Sequence, residues 1–185
     1  LTLMILGLDI STSCTGYCIF NEDGFKEIGY IKLSKYKTMP EKAAAIKNKL
    51  LEIKNSNNIT TIAVEENLQA FRPGFSSAAT LMKLAQFNGV VQWIAYEIFN
   101  LSPEPINVNR ARKIVGLKIN RKSEKTTKEQ VAQWVLKDSD NITFPVREVT
   151  RGRNKGQCVI INESYDMADA YVIAKASYNI KKIKS

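Results

Sequence analysis

Hydrophobic positions along the chain fall into runs of two kinds. LMILGLDI (3–10) is a continuous apolar run ending on an acid, the pattern of a strand buried on both faces. Turn-prone STSCT (11–15) leads to GYCIF (16–20), a second short run of strand formers. NEDG (21–24) is a turn signal before FKEIGYIKLS (25–34), whose alternation predicts a third, antiparallel strand with one wet face, so the chain opens as a β-meander. From Pro40 to about Asn55, EKAAAIKNKLLEIKN has apolar residues at helical spacing, with Pro40 suited to the first turn.

ITTIAVEEN (59–67) returns to strand character and also ends in acids, and QAFRPGF (69–75) is a Pro/Gly-punctuated loop. Ser76 to about Phe99 predicts a long helix. Its apolar surface, with Leu81, Met82, Leu84, Val90, Val91, Trp93, Ile94 and Ile98, is broader than one stripe, so the helix is either central or shared with a partner subunit. PINVN (105–109) predicts a short strand. TTKEQVAQWVLKD (126–138) predicts a helix capped by Thr126, with Glu129 at the capping-box spacing. Residues 139–163 suit a loop or hairpin, and a last helix runs from about Tyr165 to Tyr178 before KKIKS, a fraying basic tail. Strands and helices in this order make one α/β domain over 1–185, a mixed sheet covered by helices.

Charge changes the picture. The net charge of +9 is unevenly spread: Arg110, Arg112, Lys113, Lys118, Arg121, Lys122, Lys125 and Lys128 stand against Glu124 alone, a local +7. A polyanion is the natural partner of such a segment, against the plainer reading of a solvated basic face. Cys14, Cys18 and Cys158 are odd in number, lack C-x-x-C spacing and have no histidine to join them, which argues against zinc or a disulfide framework and for a reducing, intracellular setting. The apolar N-terminus reads as a strand rather than a leader, and no window approaches the roughly 18 apolar residues of a membrane span.

The candidate chemistry lies in the acids. Asp166 and Asp169 are three residues apart in YDMADAYVIAKA, about 5–6 Å on one helix face, where like charges repel. A first-turn pair helped by the helix N-terminus is the plain explanation. Asp9 and Glu65 or Glu66 end strands, where ligand sites collect; adjacent Glu65 and Glu66 point to opposite faces, and spacing does not choose between them. If the first and fourth strands are neighbours, four acids converge, and divalent ions would remove the cost of crowding them. Oxygen ligands without histidine favour magnesium, with manganese able to substitute, and two such ions suit phosphodiester hydrolysis.

Several segments resemble the RuvC family of Holliday-junction resolvases, within the RNase H-like, retroviral-integrase-type superfamily. LGLDISTSCTGYCIF is similar to that family's LGIDPG and TGYG hairpin, IAVEEN to its AIEQ strand, LAQFNGV to GQARGV, TTKEQVAQWV to DKEQVQ, and DMADAYVIAKA to DAADALAIA. The resemblance implies an RNase H-like fold, a five-stranded mixed sheet flanked by helices on both faces, with two magnesium ions per active site and a homodimer that nicks paired strands of four-way DNA junctions or other branched DNA. It implies Asp9, Glu65, Asp166 and Asp169 as catalytic, metal-binding carboxylates and Lys128 as a lysine near the scissile DNA. Arg112 and Lys113, one register apart, are candidates for a further family lysine.

Leu68 stands where the family has a stacking aromatic; Phe71 and Phe75, with Arg72 between them, could supply that surface or merely close the core. Arg121, Lys122 and Lys125, with Arg151 and Arg153 of the added RGRNKG segment, complete the expected DNA contacts; RGRNKG itself reads as an extra phosphate clamp or a dimer-edge hairpin. The resemblance leans toward phage or viral members, and so toward the cytoplasm of a bacterial or phage-infected host cell, with no membrane partner. The alternatives are another RNase H-like nuclease acting on RNA/DNA hybrids, a transposase core, a non-catalytic branched-DNA binder, and an actin-like or sugar-kinase ATPase, for which 185 residues is too short.

Overall fold

The computed structural model describes residues 2–66 and 77–184. The meander forms β1 (Ile5–Ile10), β2 (Cys14–Asn21) and β3 (Gly24–Lys32). After it come α1 (Met39–Ser56), β4 (Thr61–Glu65), α2 (Ala78–Phe99), β5 (Glu104–Ile106), α3 (Val108–Ile114), α4 (Thr127–Asp138), a hairpin of β6 (Val146–Glu148) and β7 (Cys158–Ile160), and α5 (Glu163–Lys184). One five-stranded sheet has the order β3-β2-β1-β4-β5, antiparallel through the meander and parallel from β1 to β4 to β5.

Strand alternation divides the core. Leu6, Leu8, Ile10, Ile62 and Val64 face α1 and α2, meeting Ile46, Leu50, Phe87 and Val91. Ile5, Cys18, Phe20 and Ala63 face the other way, toward α3, α4 and α5, meeting Ala111, Val131, Val135, Ala170 and Ala174. Helices therefore cover both faces, which is why β1 needs its unbroken apolar run.

The closest packing is that of α5 on the middle of the sheet. A Cβ on Gly7 would stand 2.6 Å from the Ala170 carbonyl oxygen, and one on Gly16 would stand 2.0 Å from that of Asp166. Only glycine fits behind the helix at these two points. Along α5, Met167, Ala168, Ala170, Tyr171 and Ala174 are buried against the sheet and its neighbouring helices, while Asp166 and Asp169 stand at the rim of this contact.

Several expectations need correction. β2 begins at Cys14, two residues early, because the turn is closed by Ser11: its Oγ donates to the Cys14 carbonyl at 2.6 Å and accepts the Cys14 N–H at 3.2 Å. α1 starts at a Thr38 capping box with Glu41. Strand character stops at Ile106, and Asn107 caps an unforeseen helix, α3, by accepting from the amides of Asn109 and Arg110. The 139–163 segment does contain a hairpin. The basic tail is helical to Lys184 rather than frayed: Tyr178 packs on Phe20 with ring centroids 5.4 Å apart, and Lys181 pairs with Glu104 of β5. Phe71, Arg72, Phe75 and Leu68 lie outside the described residues.

Gly16→Ala is expected to cost about 1–3 kcal/mol by overpacking, a fall in Tm of several degrees in a domain of this size. Thermal unfolding of the variant checks this. A variant that melts together with its parent contradicts the close approach of α5.

Candidate active site

Asp9 is the penultimate residue of β1, paired across the ladder with Gly16 of β2. Glu65 ends β4, one residue beyond the paired Leu8 and Val64, so it comes beside Asp9 on the neighbouring parallel strand. Because Val64 faces α1 and α2, Glu65 points to the α5 side, and with it the choice between the adjacent glutamates is made. Glu66 instead accepts a hydrogen bond from Asn107 Nδ2 at 3.2 Å. Gly16 lets the Asp166 backbone settle directly behind Asp9. α5 begins at Glu163, so Asp166 lies in its first turn and Asp169 in its second; the two are not a first-turn pair, and the helix N-terminus does not account for both.

Four carboxylates from three elements therefore share one edge of the sheet; burial raises the pKa of each, and repulsion from the others adds to it at Asp9 and Asp169. Asp9 is pushed well above the usual carboxylate range, first by burial and then by the charges of Asp169, Glu65 and Asp166, with Lys128 opposing. Burial also raises Glu65, against its hydrogen bond with Asp9 and the charges of Arg112 and Lys128. Both shifts favour the protonated form, and burial is the largest cause in each. Asp169 is raised to about 6 by burial, with Arg112 opposing. Asp166 is raised by burial, with the Cys14 thiol, which donates to it, and Lys128 opposing.

Two cations come in from the flanking helices. Arg112 of α3 stands 3.7 Å from Asp169, with both side chains largely buried, and its Nε is buried without a hydrogen-bond partner among the described residues. Lys128, in the first turn of α4, stands 3.8 Å from Asp166 with 61 % of its side chain exposed. Between Arg112 and Lys113, the structure brings Arg112 to the carboxylates; Lys113 is exposed in an adjoining cleft with Asn109, Lys118 and Arg121. Lys122 and Lys125 are exposed on the loop before α4, and Arg151 and Arg153 at the hairpin tip.

Sequence reasoning missed three supporting features. Cys14 lies beside Asp166, and burial pushes its thiol far above the ordinary range. Lys32 at the end of β3 pairs with Glu163 at 2.8 Å and fixes the start of α5. Gln130 folds the basic loop onto α4: its Nε2 donates to the carbonyls of Asn120 and Lys125 at 3.0 and 2.9 Å, and its Oε1 accepts from the Asn120 amide at 2.8 Å. The Gly16–Asp166 contact, also unforeseen, did have a sequence signal, glycine opposite an acid-bearing strand end.

The four carboxylates approach pairwise rather than around one point: among the described residues, no three Asp, Glu, Cys or His side chains already stand as ligands of one ion. The donor set nonetheless suits a hard cation, being all oxygen with its one neighbouring thiol neutral, and its excess negative charge is only partly offset by Arg112 and Lys128.

No protein-family model matches the chain. The crossover junction endodeoxyribonuclease RuvC of Sulfurovum sp. (strain NBC37-1) is 32 % identical over 137 residues, 71 % of this chain and 77 % of that protein. The chain belongs to the RuvC family. Thermus thermophilus RuvC, solved in complex with a Holliday junction substrate, superposes with a TM-score of 0.64 at 16 % identity, over 98 % of this chain and 96 % of that one. The yeast mitochondrial Holliday junction resolvase Ydc2 superposes at 0.54 and 16 % identity, over 96 % of this chain and 78 % of that one. At these identities the superpositions carry the fold, and they agree that the five-stranded mixed sheet with helices on both faces is the RuvC architecture. Among the described residues, no helix is long and apolar enough to cross a membrane.

The raised carboxylates give this RuvC-family domain a definite pH signature. A folded-state pKa above the unfolded value means that the folded protein binds more protons between the two, so stability falls as pH rises through that window. For Asp169 the window runs from 3.8 to about 6. Without divalent ions, the Tm is expected to fall by several degrees from pH 4.5 to 7, and Asp9→Asn to flatten that fall. Differential scanning calorimetry with chelator present checks it; a Tm that rises over this range contradicts the assignment.

Proposed function

We propose that this chain is a structure-selective endonuclease that resolves four-way DNA junctions, with forks and other branched DNA as secondary substrates, by hydrolysing phosphodiester bonds at the edge formed by Asp9, Glu65, Asp166 and Asp169. The observation that carries the reading is the convergence of these raised carboxylates inside a cationic protein of the RuvC family. Oxygen donors in excess favour two magnesium ions, or manganese in their place, held by the four carboxylates. Divalent ions supply charge stabilisation of the phosphate and activation of the attacking water.

The chain's own residues do the rest. Asp9 and Glu65, side by side on neighbouring strands, would hold a cation between them. Arg112, largely buried against Asp169, limits the charge the site must carry. Lys128, mostly exposed, can swing from Asp166 to a phosphate oxygen as charge builds up there. Lys113, Arg121, Lys122 and Lys125 hold flanking backbone, where contacts fix register without reading bases.

Paired cleavage needs paired sites, and a homodimer provides them. α2 supports this reading: Met82 is 64 % exposed, Trp93 60 % and Tyr96 42 %, and the Trp93 and Tyr96 rings lie 5.9 Å apart on its outer surface. The reading includes a cytoplasmic setting, in keeping with three unpaired cysteines.

Asp9→Asn, or Asp166→Asn, is expected to lower junction nicking by 10³-fold or more, on the order of the charge stabilisation lost, while binding stays within a few-fold and the sedimenting complex keeps two protomers per junction. Labelled junction, fork, duplex and RNA/DNA hybrid in magnesium provide the assay. Full nicking by either variant, or preferential cutting of the hybrid by the parent, overturns the proposal.

A further inference from the structure

The 146–160 hairpin is a separate feature of the same edge. Its ladder pairs Val146 with Ile160, Arg147 with Val159 and Glu148 with Cys158. Beyond it the tip folds on itself: the Val149 N–H donates to the Gln157 carbonyl at 2.9 Å, and the Gly156 N–H to the Val149 carbonyl at 2.8 Å. Gly152 and Gly156 take φ of +83° and +85°, which lets seven residues turn in a tight loop. The base is fixed. Ile161 N–H and Ser164 Oγ donate to the Pro145 carbonyl at 3.0 and 3.3 Å, Ile160 packs on the core, and Phe144 just before it is buried. Ser164 is two residues from Asp166, so the hairpin rises from the carboxylate edge itself.

Its chemistry is that of a phosphate contact. Arg147, Arg151, Arg153 and Lys155 stand against Glu148, a local +3, and residues 151–157 carry no apolar side chain. All of 151–158 is exposed, and among the described residues none of Arg151, Arg153 and Lys155 is ion-paired. A protein partner would be met by aromatic and apolar residues, with lysine depleted, whereas phosphate is met by cations on mobile stems. From Pro145 to Arg153 at the apex the strand spans at most about 26 Å at roughly 3.3 Å per residue, about eight base pairs at 3.4 Å each.

Resting on the reading of the carboxylate edge as the place where DNA is cut, we propose that the tip of this hairpin, through Arg151, Arg153 and Lys155, is a second backbone clamp. It grips a duplex arm of the substrate within about eight base pairs of the bond that is hydrolysed. Binding there favours a branched substrate, because one arm can reach the tip while the branch point remains at the carboxylates.

The test uses the full chain carrying Asp9→Asn, so that the DNA stays whole, with and without Arg151→Ala, Arg153→Ala and Lys155→Ala together. Anisotropy of a labelled four-way junction in magnesium from 50 to 300 mM salt reads the Kd and its salt slope. The triple change is expected to raise the Kd on the order of tenfold and to make the slope shallower by about 3, one counter-ion per lost contact. Arg151→Lys with Arg153→Lys should keep the slope. An unchanged Kd and slope overturn the clamp, as does weakened binding that the lysine variant shares, which marks a structural role. Dissociation of the triple variant into monomers by sedimentation also overturns it, in favour of a contact between copies. Cleavage by the unaltered chain is scored separately: loss of nicking with the slope difference intact sinks the nuclease reading and leaves the clamp standing.

Discussion

Asp9 is held in place by a contact that tolerates nothing larger than hydrogen. Gly16 pairs with it across β2 and abuts the Asp166 backbone, and Gly7 abuts Ala170 one turn further along α5. Because the helix lies this close, its acidic turns cannot move away from the strand ends that carry Asp9 and Glu65. Backbone packing, paid for by the two apolar clusters on either side of the sheet, forces together charges that would separate in water.

From that constraint the rest of the chemistry follows. Crowding and burial raise the carboxylates, and Arg112 and Lys128 offset only part of their charge. Further cations stand outward from the site, on α3, on the loop that Gln130 pins to α4, and on the hairpin anchored at Ser164. An acidic centre within a basic body fits the proposed reading: the carboxylates would hold divalent ions that stabilise charge on a phosphate, while arginine and lysine would hold the flanking backbone.

Much of this was legible in the sequence, for particular reasons. β1 announces itself as an unbroken apolar run because helices cover both of its faces, and the Thr126–Glu129 capping box marks the start of α4 to the residue. Asp9, Glu65, Asp166 and Asp169 could be nominated from strand ends and an i, i+3 pair, and resemblance set them in order. Spacing alone could not separate Glu65 from Glu66, and resemblance pointed to Glu65; placing Arg112 rather than Lys113 beside the carboxylates needed the face each side chain takes, which depends on where α3 starts. α3 itself was missed because its cap is an asparagine inside what reads as a strand ending. The C-terminal lysines looked like a frayed tail because the contacts that order them, Tyr178 with Phe20 and Lys181 with Glu104, are distant in sequence.

Burial and crowding hold the four carboxylates where their charge must be offset by protons or by a bound cation, so that cation binding would expel protons. Isothermal titration calorimetry of magnesium into the DNA-free protein at pH 6, repeated in buffers of different ionisation enthalpy, measures that number directly. Net proton release on binding is expected, from carboxylates raised by burial, and a smaller release in Asp9→Asn. Magnesium binding with no proton released, or release unaltered in Asp9→Asn, contradicts it.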